Sequence, residues 1–154
     1  MGYYTYFEFN FRLKKDTPDE VLDILDLMIN KEESKISFED VENKYPNEPL
    51  FNTKQKRWRY MFEYSEDENY SFITAIEQQP SKIRWIILHV FGSIKDYEYE
   101  TNKFISWIKP YIDEDENKII GYKQGQDQES LSQEYGGESL DFISLKSIDE
   151  YEKD

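Results

Sequence analysis

Three short stretches carry the side chains with chemistry to offer. In "DEDEN", Asp113, Asp115 and Asn117 fall on alternate positions, the spacing at which an EF-hand loop supplies its first calcium ligands. The rest of such a loop is missing. Lys118 stands where the sixth position needs glycine, and Gln124 where the twelfth needs a bidentate glutamate. His89, in "WIILHVFG", is the sole histidine and the chain has no cysteine, so it offers neither the usual nucleophile–base pair nor a histidine or thiolate zinc site. We expect no catalytic residue, no metal and no cofactor, and read His89 as a hydrogen-bonded structural side chain. The third stretch, "KQKRWRY", interleaves Lys54, Lys56, Arg57 and Arg59 with Trp58 and Tyr60, a combination that can track phosphates while a ring stacks on a base.

Charge argues against that use. The chain carries 33 acidic and 19 basic residues, a formal net charge of −14, and the imbalance is uneven. Residues 1–62 hold 10 basic and 12 acidic side chains, whereas residues 63–154 hold 9 and 21. Such a field repels nucleic acid and attracts basic surfaces. The cations of "KQKRWRY" are therefore expected to face local acids across a sheet, without direct nucleic-acid contact. With 13 Tyr, 10 Phe and 3 Trp in a chain that is 34% charged, the composition is that of a folded domain with aromatic surface to spare, not of a disordered acidic chain.

The elements that must position these residues follow from periodicity. Phe7, Phe9, Phe11 and Leu13 alternate with Tyr6, Glu8, Asn10 and Arg12, which predicts a half-buried strand whose second face is a contact surface. "DTPDEVLDILDLMINKEE" predicts a helix with Thr17 as its N-cap, Pro18 in its first turn, and a stripe of Val21, Leu22, Leu25, Met28 and Ile29. A long connection with one helical turn near Phe38–Val41 leads to "RWRYMFEY", whose alternation predicts a strand with Trp58, Tyr60, Phe62 and Tyr64 on one side. A polar tip at "SEDEN", a returning strand "YSFITAIEQ" and a turn at Gln79-Pro80-Ser81 come next. The nearly continuous apolar run "KIRWIILHVFGSIK" predicts a strand covered on both faces. A second helix over "DYEYETNKFISWIKPYI" and a strand meander broken by glycines complete the pattern. The expected fold is α+β: an antiparallel sheet of about five to seven strands with two helices packed on one face, forming one domain over residues 1–146, with a frayed acidic tail at 147–154. The N-terminal segment lacks a basic stretch followed by an apolar run, and no stretch matches a membrane span, so a cytoplasmic protein without membrane contact is expected.

The start "MGYYT" and the late helix–strand–"GQDQ"–strand–"YGG"–strand layout resemble small uncharacterised α+β proteins encoded by bacteriophages. The resemblance covers about the first dozen and the last 50 residues, and none of its motifs carries chemistry. It implies a phage or mobile-element origin, where small acidic proteins often block host enzymes. The resulting expectation is a non-enzymatic acidic protein that occupies a basic, nucleic-acid-binding partner, such as a restriction or CRISPR enzyme, by charge mimicry. The expected contact residues are the runs Glu66, Asp67, Glu68 and Asp113, Glu114, Asp115, Glu116, with Tyr6, Trp58, Tyr60 and Tyr64 as the aromatic set. Two other classes fit the sequence: a small-molecule or nucleotide binder or enzyme using the open sheet face, and a homo-oligomer joined through its aromatic strands.

Overall fold

The computed structural model describes residues 4–62, 71–78, 83–126 and 138–152. Five strands, β1 (Tyr4–Leu13), β2 (Phe72–Gln78), β3 (Ile83–Ile94), β4 (Ile119–Gln126) and β5 (Glu138–Ser144), form one sheet in the order β2-β3-β1-β4-β5, antiparallel throughout. The fold is therefore α+β with an antiparallel sheet, and its first strand lies in the middle. The register aligns Phe7 with Gly92, Phe9 with Val90, Phe11 with Leu88 and Leu13 with Ile86. Directly paired residues point to the same side, so these side chains make one apolar face. Gly92 is required there: a Cβ at this position would lie 1.8 Å from the Met61 carbonyl oxygen, because the chain before residue 63 packs flat against the strand.

Among the described residues four α-helices accompany the sheet, where two helices and one helical turn near Phe38–Val41 were expected: α1 (Asp19–Asn30), α2 (Phe38–Lys44), α3 (Glu100–Ile108) and α4 (Leu145–Glu152). Each places at least one buried residue in the same core cluster as the apolar sheet face: Leu25 and Met28 from α1, Val41 from α2, Phe104 and Ile108 from α3, and Ile148 from α4. The start of α1 differs from the expected cap. Thr17 is buried and its hydroxyl donates to the Lys14 carbonyl, while Pro18 sits at the cap position and its carbonyl receives the amide of Val21. The stretch expected as a frayed tail is α4. Ser144 and Ser147 cap its start reciprocally, the Ser147 hydroxyl accepting the Ser144 amide at 2.8 Å and the Ser144 hydroxyl accepting the Ser147 amide at 3.3 Å.

The largest departure from expectation is "RWRY". It is a 3₁₀ turn over Arg57–Tyr60, entered through Lys56 in the left-handed region at φ 52°, and not a strand. Trp58 is fully buried, with its ring 4.6 Å from Phe51 and 5.2 Å from Phe38. Its alternation with Tyr60 mimics a strand, but the segment is a plug over the core. The run in β3 also departs from its reading: Ile86, Leu88 and Val90 are buried, whereas Trp85, Ile87, His89 and Phe91 are half-buried on the other face. The polar tip at residues 65–69 and the turn at 79–81 lie outside the described residues. Among the described residues, no helix is long and apolar enough to cross a membrane.

Candidate functional site on the second sheet face

The face opposite the apolar one is built by the alternate residues of the same strands. On β1 these are Tyr4, Tyr6, Glu8, Asn10 and Arg12. Across the sheet, Glu8 is paired with Phe91 on β3 and with Tyr122 on β4, and Tyr122 is paired with Phe142 on β5. One carboxylate thus stands in a cross-strand row between aromatic rings. The next row on the β3 side aligns Asn10, His89 and Phe72. A concavity of about 770 Å³ opens on this face, with Glu8, Asn10, Arg12, Trp85, His89 and Tyr122 among its lining residues and Phe142 at its β5 side. Phe142 is 59% exposed, and Leu140 on β5 and Tyr4 and Tyr6 on β1 are exposed on the same face.

The cations of the concavity already have partners. The Arg12 guanidinium lies 4.5 Å from the centre of the Trp85 ring and pairs with Asp113 at 3.4 Å and Glu114 at 4.0 Å. Lys118 donates to Glu114 at 3.0 Å. The 112–114 segment is fixed there by the backbone, since the Asp113 amide donates to the Arg12 carbonyl and Ile112 bridges Leu13. Glu8 differs. It is half-buried, and among the described residues it has no ion-pair or hydrogen-bond partner for its carboxylate. Its neighbour Tyr122 registers this environment: burial, then the negative charge of Glu8, pushes the phenol above its ordinary pKa. Trp85 adds a buried indole N–H with no acceptor among the described residues. Among the described residues, the His89 ring stacks on Phe72, 5.4 Å between ring centres.

The expected contact residues separate on inspection. Tyr6 lies on this face. Tyr60 is exposed but stands on the 3₁₀ turn, and Trp58 is in the core, unavailable to a partner. Glu66, Asp67, Glu68 and Tyr64 lie outside the described residues. In the 113–116 run, Asp113, Asp115 and Glu116 are exposed, but the Glu114 side chain is only 7% exposed and is engaged by Arg12 and Lys118. Asp115 accepts the Asn117 amide at 2.9 Å, so the calcium-like spacing forms a local Asx turn. The row Phe91–Glu8–Tyr122–Phe142 was missed by sequence reasoning. Its signal lay in the residues between buried ones on each strand, but the register that joins them is a long-range property.

Three cations of "KQKRWRY", Lys56, Arg57 and Arg59, are paired by acids elsewhere in the chain. Glu42 receives Trp58 Nε1 at 2.9 Å and Arg59 Nε at 2.9 Å, and pairs with Lys56 at 3.3 Å. Arg57 pairs with Glu98 at 3.7 Å and with the fully buried Glu100 at 3.4 Å. Burial alone would raise the Glu42 carboxyl, but bonds from Arg59 and Trp58 outweigh it and hold Glu42 below its usual range. A second hollow, of about 1120 Å³, lies among α1, α3 and residues 45–49, but its Glu20 is already bound by Lys44 and Tyr45. Comparison of the chain with protein-family models, with curated proteins and with solved structures finds no match.

Proposed function

We propose that this is a non-enzymatic binding protein that docks a basic protein partner on the second face of its sheet. The observation that carries the reading is Glu8: a half-buried carboxylate with no counter-ion among the described residues, between aromatic neighbours, in a chain of net charge −14. Taking a carboxylate partly out of water is unfavourable unless a cation reaches it, and a partner's cation would relieve that cost. The exposed Tyr4, Tyr6, Leu140 and Phe142 supply apolar and amphipathic contact area around it, and Tyr is enriched where proteins meet. The long-range field steers basic partners toward the whole molecule. A nucleic-acid-binding enzyme carries a basic groove, so occlusion of such a groove is the inhibitory form of this activity, as the resemblance to phage proteins implied. The proposal moves the contact from the 113–116 run to the sheet, because Asp113 and Glu114 are occupied by Arg12.

The test compares two variants as bait. Immobilised wild type is expected to retain a discrete set of basic proteins from bacterial lysate. Tyr6→Asp with Phe142→Asp should lose that set, whereas Asp113→Asn, Asp115→Asn and Glu116→Gln together should keep it. Retention by the sheet variant and loss by the run variant would return the interface to charge mimicry by the acidic run.

A further inference from the structure

The molecule already contains one filled example of a guanidinium site. Arg12 lies over the Trp85 ring at 4.5 Å and reaches the carboxylates of Asp113 and Glu114. The same ingredients recur four residues along β1, on the same face, without the guanidinium: the Glu8 carboxylate, with Phe91 and Tyr122 as its direct cross-strand neighbours and Phe142 beyond Tyr122. Directly paired side chains on one face have their Cβ atoms roughly 4.5–5.5 Å apart, so a group bound at Glu8 touches rings on both sides. We infer that Glu8, flanked by Phe91, Tyr122 and Phe142, seats an arginine side chain of the docked partner.

Arginine fits this row better than lysine for two reasons. A guanidinium is planar, so it can lie against a ring while directing two N–H groups at one carboxylate, and it is more weakly hydrated than an ammonium, so entering a half-buried site costs it less. The face also has apolar surface for the side-chain stem, from Ile87 at the concavity wall and Phe142 at its edge. Tyr122, a phenol that burial and Glu8 push further above its ordinary pKa, presents its ring face to the incoming cation. The inference rests on the docking reading and names the chemistry of its central contact.

The probe is a fluorescein-labelled peptide Gly-Ser-Arg-Ser-Gly, with counterparts in which the arginine is lysine or the neutral isostere citrulline, followed by fluorescence anisotropy at fixed ionic strength. The arginine peptide should bind at least tenfold more tightly than the citrulline peptide and several-fold more tightly than the lysine peptide. Glu8→Gln should weaken the arginine peptide at least tenfold, while Glu39→Gln, the same charge change at an exposed position of α2, should leave it unchanged. Equal loss in both variants would show diffuse attraction to an acidic surface and overturn the site. So would equal binding of arginine and citrulline, and equal binding of arginine and lysine would overturn the choice of cation. Should Glu8→Gln not melt cooperatively, Phe142→Ala on the exposed edge strand takes its place, with a loss of about threefold expected and an unchanged affinity counting against the aromatic flank. If the peptide arms fail while Tyr6→Asp with Phe142→Asp still abolishes capture of basic proteins, this inference falls and the docking reading stands. If both fail, both fall.

Discussion

Glu42 shows how one side chain can decide the conformation of a distant segment. From the middle of α2 it accepts the Trp58 indole N–H and the Arg59 guanidinium, and pairs with Lys56, so the three exposed-looking residues of "KRWR" are turned onto a single acid. Its side chain is only 10% exposed. Glu42→Gln keeps the shape but removes the charge, leaving buried donors poorly satisfied, and should cost about 2 kcal/mol at pH 7, roughly 4–8 °C in melting temperature. The pH dependence has a defined sign. The folded-state pKa of Glu42 is lowered, so its contribution is complete above the unfolded carboxylate value near ~4.3 and is lost as pH falls through the folded value. The gap between wild type and Glu42→Gln should therefore narrow in acid, and thermal melts over that range check it; a gap that widens toward low pH would refute the pairing. The alternation of Trp58, Tyr60 and Phe62 with cations read as a strand because period 2 was the only local signal. What overrides it is a contact sixteen residues away, which no local pattern records.

At the scale of elements, β1 and α1 were legible because one period ran uninterrupted through each, and the inward residues Phe7, Phe9, Phe11 and Leu13 are all buried. The last helix was not. Among its described side chains only Ile148 is in the buried core, and the usable signal was the serine pair at 144 and 147 that caps it. The start of α3 holds a different feature, a pair of carboxyls at Asp96 and Glu100. Burial raises Asp96 above its usual pKa against the bond from the Thr101 amide. Burial, then the charge of Asp96, raises Glu100 as well, against the amide of Glu98 and the Arg57 cation. A carboxyl with a raised folded pKa favours folding at low pH, and that stability is lost as pH rises through the folded value. Glu100→Gln removes one such titration, so its melting temperature relative to wild type should climb as pH increases from about 4 toward neutrality. A relative melting temperature that falls over the same interval would mean that the Arg57 pair dominates and the sign is reversed.

For the whole molecule, the net charge and the sheet face act at different ranges. In the docking proposal, the charge of −14 gathers basic partners over roughly a Debye length, about 8 Å at physiological salt, and says nothing about where they dock. The proposed docking position follows from which charges have no partner among the described residues, and this was only half legible in the sequence. The row Tyr6, Glu8, Asn10, Arg12 could be read as a second face from its alternation. That Arg12 would be taken by Asp113 and Glu114, leaving Glu8 between Phe91 and Tyr122 with no ion-pair partner among the described residues, depends on pairing β1 with both β3 and β4. The most direct test of this account is amide chemical-shift mapping of the ¹⁵N-labelled protein titrated with a twelve-residue peptide of alternating Arg and Ser. The shifts should concentrate on residues 6–12 of β1, 87–93 of β3 and 121–124 of β4, with Glu8 and Tyr122 among the largest. Shifts confined to residues 113–117 or to α1 and α3, with the sheet unmoved, would contradict it.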